Sequence, residues 1–127
     1  PGGRNPKDPT PTRLRLRILL GDAVMLGPGK AELLGLIRET GSISAAGRGM
    51  KMSYKRAWML VEEINAAFRE PLVESIRGGA GGGGAQLTAT GQAVLAHYRQ
   101  IEKAAAEAGA ADLDALRALL RDIPDGK

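Results

Sequence analysis

Cysteine is absent from the 127 residues, which excludes a disulfide scaffold, thiolate metal ligation and a cysteine nucleophile. There is one histidine, His97, so no multi-histidine metal centre can be built and a histidine-based triad has a single candidate base. Aromatic residues make up only 3% of the chain, as Tyr54, Trp58, Phe68 and Tyr98, so Leu, Ile, Val and Ala must fill the core. Apolar runs reach about five residues, far short of the roughly 20 that a membrane-spanning helix needs. No charged-then-apolar leader opens the chain, and it begins without Met, as a trimmed or engineered start does. The length suits one ordinary domain, and a soluble, cytoplasmic one is expected.

One sign of charge is also missing locally. No acid lies between Thr40 and Val61, while Arg48, Lys51, Lys55 and Arg56 stand there as four positive charges. Residues 1–77 hold 13 Lys/Arg against 8 Asp/Glu, and residues 78–127 hold 5 against 6, so the net +4 is concentrated in the first part. A basic block of this kind suits an anionic partner or, more plainly, a solvated face.

What is present reads as a series of short elements. Residues 1–12 carry four prolines and no anchoring apolar side chain, which predicts a disordered arm. From Arg13 to Leu20 the pattern alternates, with Leu14, Leu16, Ile18 and Leu20 on one face and Arg13, Arg15 and Arg17 on the other, as a half-buried strand does. Gly21-Asp22 predicts a two-residue hairpin loop, Ala23 to Leu26 the returning strand, and Gly27-Pro28-Gly29 the end of the sheet. Leu33, Leu34, Leu36 and Ile37 predict a helix from Lys30 to Thr40 with Gly41 beyond its end. Ser42 caps a short second helix, and Ser53 a third running to about Arg69 through Ala57, Val61, Ile64 and Phe68.

Strands are expected around Leu72 to Ile76 and Ala85 to Leu87, on either side of the glycine run 78–84. A last helix starts near Thr88 or Thr90, with Val94, Tyr98, Ile101, Ala105 and Ala108 spaced as an a/d seam. Asp112 is placed to cap a final short helix with Leu113, Leu116 and Leu120. Helix, short helix, turn, helix and β-hairpin is the winged helix-turn-helix order, a mainly α fold with small β. The expected organisation is an arm over 1–12, the winged unit over 13–87, and a helical dimerisation segment over 88–127.

On the third helix, Lys55, Arg56, Met59 and Glu63 point away from the core line, and Ser53 and Tyr54 sit at its N-terminal end. Basic residues thus occupy the half that a recognition helix presents to base edges, and Glu62 and Glu63 the other half. Gly41-Ser42-Ile43-Ser44-Ala45-Ala46 and Met52-Ser53-Tyr54-Lys55-Arg56-Ala57-Trp58 resemble the DNA-binding domain of ModE-type molybdate-responsive transcriptional regulators, which have a LysR-like winged helix. Pro71-Leu72-Val73-Glu74, the glycine run and Leu87-Thr88-Ala89-Thr90-Gly91 are similar to the wing and dimer-helix entry of that family.

The resemblance implies a regulator of molybdenum uptake or molybdoenzyme genes, with double-stranded DNA as partner. The expected contacts are Ser53, Tyr54, Lys55 and Arg56 in the major groove, with Ser42, Ser44, Lys51, Arg77, Gly79, Gly81 and Gly82 on phosphates or the minor groove. Val94, Tyr98, Ile101 and Ala105 would form a homodimer seam.

Departures from the family pattern stand out. Lys51 replaces the glycine usual in the turn before the third helix. Gly47 and Gly49 lie within the second helix, each costing about 1 kcal/mol relative to Ala, which predicts fraying. The wing has Ala80 where a basic residue is common. The chain ends nineteen residues after Ala108, too few for an oxyanion-binding domain, so molybdate sensing is not expected.

Other motifs add little. The glycine run lacks the Lys and Ser/Thr of a phosphate-binding loop. Trp58 is expected to pack in or beside the core, and His97 to be exposed. Neighbouring helical residues such as Glu62 and Glu63 diverge by about 100°, so they form no catalytic dyad. No nucleophile, base and orienting group can be assembled, which makes an enzyme the weakest class; no cofactor or metal is expected. The competing function is a winged helix that binds an acidic protein partner.

Overall fold

The computed structural model describes residues 12–22, 24–77 and 84–121, so all of the arm but Thr12, and the wing tip, lie outside it. Along residues 13–18 exposed arginines alternate with half-buried Leu14, Leu16 and Ile18, but strand pairing starts only at Ile18. There β1 (Ile18–Leu20) pairs antiparallel with β2 (Val24–Leu26). Alternation needs only a surface to lie on, and residues 14–16 have one without a ladder. Tyr98 Oη donates to the Leu16 carbonyl at 2.6 Å. Leu20 is 40% exposed rather than inward, and pairing of Leu20 with Val24 leaves a three-residue loop instead of two. One of its residues, Ala23, lies outside the described set.

Helix α1 (Pro28–Thr40) begins two residues earlier than expected, with Gly27 as N-cap. Proline suits this first position because its φ is already helical and its missing N–H would have no partner there. Ala31, Leu33, Leu34 and Ile37 are buried. The helix ends at Gly41, whose φ of 71° is left-handed and whose N–H donates to the Ile37 carbonyl at 2.8 Å.

Ser42 caps α2 (Ile43–Gly49), and Ser53 caps α3 (Tyr54–Ala67), as the sequence predicts. Helix α3 stops two residues short of Arg69. The second helix runs through Gly47 rather than fraying there. A Cβ at Gly47 would stand 3.0 Å from the Ala57 Cβ, so the glycine is what lets α2 and α3 approach. Its low helix propensity is offset by that contact.

The second hairpin pairs β3 (Val73–Ile76) with β4 (Gly84–Leu87). It leads to α4 (Ala89–Ala108), capped by the Thr88 hydroxyl, and to α5 (Ala110–Ala118). Asp112 sits in the first turn of α5 and makes no cap; Gly109 occupies the N-cap position. Helix α1 lies at the centre, against α2, α3, α4 and β4. This is a winged-helix arrangement, mainly helical with two small antiparallel hairpins. Among the described residues no helix is long and apolar enough to cross a membrane.

The a/d seam on α4 is corrected in part. Tyr98 is 1% exposed and lies in this chain's own core, and Val94 packs against that core. Burial, with Glu102 beside it, pushes the Tyr98 phenol above its ordinary pKa. Spacing by three and four marks an apolar stripe but does not say what covers it; here much of the cover is intramolecular.

One polar residue ties the wing to the helices. Asn65 Oδ1 accepts from the N–H groups of Leu72 and Val73 at 2.8 and 3.0 Å, and its Nδ2 donates to the Val73 carbonyl at 3.0 Å. Leu72 is fully buried, so losing Asn65 would strand its N–H away from water. Asn65→Ala is expected to lower the unfolding free energy by about 3 kcal/mol in urea titration. The exposed Gln92→Ala should change it by less than about 0.5 kcal/mol.

Candidate nucleic-acid interface

Two serine caps fix the starts of the helices that carry the basic block. Ser42 Oγ accepts from the Ala45 N–H at 3.0 Å, and Ser53 Oγ from the Arg56 N–H at 3.1 Å. Both hydroxyls are therefore engaged in holding the helix starts. Behind Ser53, α3 turns Ala57, Val61 and Ile64 into the core and leaves Tyr54, Lys55, Arg56 and Met59 exposed. Ser44 is half-buried, and its hydroxyl accepts from Arg48 Nη1 at 2.8 Å. That bond fastens a guanidinium to the outer side of α2, a contact the serine–arginine spacing of four residues could have suggested.

A groove of about 330 Å³ opens between the starts of α2 and α3 and the β3–β4 hairpin. Ser42, Ser44, Tyr54, Trp58, Ser75 and Ile76 are among its walls. Its base is a backbone junction: the Ala85 N–H donates to the Gly41 carbonyl at 2.9 Å. A side chain at Gly84 would run into that same carbonyl, so only glycine permits the approach. Trp58 is half-buried against the core, as expected, and Tyr54 meets it edge-on with ring centroids 6.2 Å apart. Arg77 is exposed at the end of β3; Gly79, Gly81 and Gly82 lie outside the described residues.

The structure thus brings Ser42, Ser44, Tyr54 and the wing strands together around one groove, with Lys51, Ser53, Lys55 and Arg56 exposed in the adjoining turn and first helical turn. Of the remaining positions, Ile101 is 45% exposed on α4 and Ala105 half-buried. Glu63 is exposed as expected, but it is not idle: Lys30 Nζ lies 3.8 Å from its carboxylate and also donates to the Met25 carbonyl. Sequence reasoning missed Asn65, whose partners lie on the next strand, and the Gly41–Gly84 junction, whose two sides lie more than forty residues apart.

No family model matches the chain. Among curated proteins, it is 43% identical to the molybdenum-pterin-binding protein MopB of Rhodobacter capsulatus over 82 residues, 65% of this chain and 30% of MopB. It is 37% identical to the transcriptional regulator ModE of Haemophilus influenzae over 92 residues, 72% of this chain and 36% of that protein. Identity to the DNA-binding transcriptional dual regulator ModE of Escherichia coli K12 is 39% over 83 residues, 65% of this chain and 32% of the relative. Its homologues are thus ModE regulators and Mop molybdenum-pterin-binding proteins. The chain spans about a third of the length of these ModE and Mop relatives.

The turn between α2 and α3 has an unusual backbone. Lys51 has φ of 60° and is the one non-glycine residue with positive φ among those described. The left-handed region costs an L-residue about 1–2 kcal/mol. Here the turn is held by Lys51 N–H to the Arg48 carbonyl and Met52 N–H to the Gly47 carbonyl, each at 3.0 Å. Lys51→Gly is expected to leave stability unchanged or raise it by up to about 1 kcal/mol, since glycine's extra unfolded-state freedom offsets part of the relief. Lys51→Val should lower it by more than about 1 kcal/mol. Urea unfolding of both variants tests this.

Proposed function

We propose that this chain is the DNA-binding part of a transcriptional regulator of molybdenum uptake or molybdoenzyme genes. The observation that carries the reading is the first turn of α3, which is exposed, basic, free of acids and set beside a wing. Helix polarity adds to it, because the N-terminus of a helix carries partial positive charge where phosphates would approach. The names of the ModE relatives, regulators of transcription and in one case DNA-binding, point the same way.

In this reading the start of α3 enters the major groove. Arg56 forks onto the O6 and N7 of a guanine, and Lys55 meets a phosphate as a point charge. Lys51, Arg77 and Arg48, with the serines at the start of α2, hold the backbone on either side. The wing glycines Gly79, Gly81 and Gly82 remain assigned to phosphate or minor-groove contact on sequence grounds. Residues 13–87 serve as the reading unit and 88–127 as the pairing segment. With Tyr98 in the core, the apolar surface left for a two-fold partner is Ile101 and Ala105 with Leu116, Leu119 and Leu120 near the chain's end, each of these leucines more than 60% exposed.

Selection of duplexes from a random pool tests the reading, with binding then measured across salt. Arg56→Ala should cost about 1–3 kcal/mol on the selected duplex and relax the preference at one base pair. Lys51→Gly should weaken all duplexes alike and reduce the salt slope by about one. Glu62→Ala, exposed and without the Lys30 contact of Glu63, should do little. A chain that binds no duplex even at low salt is instead a protein-interaction module.

A further inference from the structure

The first residue of α3 is an aromatic side chain left 57% exposed in the middle of the basic surface. Lys51, Lys55 and Arg56 around it are suited to phosphates and base acceptors, but a phenol ring is not. Among the described residues no hydrogen bond engages the Tyr54 hydroxyl, and the ring instead rests edge-on against Trp58 at 79°. Trp58 is itself packed against the core, so Tyr54 is braced from behind and its outer face is held in place. A braced, exposed apolar surface at the tip of a basic helix calls for a partner that is anionic overall and apolar at one point. In the major groove of DNA the one apolar feature is the thymine 5-methyl group.

We infer that Tyr54 is a specificity-determining residue that recognises a thymine through its 5-methyl group. The inference rests on the DNA-binding reading and adds to it the base class and the atom read. Trp58 acts as a positioning residue, stiffening Tyr54 through the edge contact. Preorganisation of this kind removes an ordering penalty on binding.

The test replaces each thymine of the selected duplex, one at a time, by deoxyuridine, which deletes only the methyl group. Wild type should lose about fourfold in affinity at one position, the worth of one buried methyl-sized group. Tyr54→Ala should bind the thymine duplex more weakly and show no deoxyuridine effect at that position. Tyr54→Phe keeps the ring and should retain the fourfold effect. Tyr54 is exposed, so these variants are expected to fold, and circular dichroism checks it. If wild type is indifferent to every deoxyuridine, or Tyr54→Ala keeps the effect, the inference is overturned while the DNA-binding reading stands. If no duplex is selected at all, both fail.

Discussion

The arrangement of the site depends on one backbone contact, the hydrogen bond from the Ala85 N–H to the Gly41 carbonyl. It joins the turn between α1 and α2 to the inner strand of the wing, two segments more than forty positions apart. Two glycines make it possible for different reasons. Gly41 takes the left-handed conformation that ends α1 and aims its carbonyl outward, and Gly84 lacks the side chain that would block the approach. With that junction made, the groove between the wing and the starts of α2 and α3 has a fixed width. Asn65 secures the other strand of the same hairpin, so neither strand can shift without breaking polar contacts to the helices.

Much of the local structure is legible because capping and periodicity are local signals. Ser42, Ser53 and Gly41 mark helix ends within a few residues of the groups they satisfy, and they are found where those rules put them. The alternation over 13–18 correctly separates exposed from half-buried residues but overstates the strand, since a period of two reports a surface and not a hydrogen-bonded neighbour. Propensity alone makes Gly47 a weakness. Its contact with Ala57 crosses between helices, and no pattern within the second helix encodes it. Asn65 is hidden for the same reason: a polar residue inside a helix gives no sign that its partners lie seven and eight residues on.

The stripe on α4 shows that spacing alone does not say what covers an apolar face. Val94, Tyr98 and Ile101 do share a face, and the heptad-like spacing is real. Yet the tyrosine hydroxyl finds the Leu16 carbonyl of the same chain, and burial of Tyr98 and Leu95 extends the core to the middle of the helix. Beyond that point exposure rises, and α5 has no buried residue. The apolar surface left exposed is thus displaced toward the C-terminal end, where Leu116, Leu119 and Leu120 project.

Helix α3 divides its work along its length, and that division explains why the charge is arranged as it is. In its second half Val61 and Ile64 enter the core, Asn65 grips the wing, and Glu63 faces the nearly buried Lys30. The Lys30 side chain is only 11% exposed, so a carboxylate nearby offsets the cost of drawing its charge away from water. An acid is therefore useful to the fold at that end. At the other end Ser53, Ala57 and Trp58 anchor the helix, which leaves Lys55 and Arg56 exposed and Tyr54 touching only the Trp58 edge. Side chains free of structural duty are open to another use, and those here are two cations and a braced aromatic ring. On the DNA-binding reading proposed above, an acid among them would repel the phosphates, so its absence from Thr40 to Val61 and its presence just beyond follow from one division of labour.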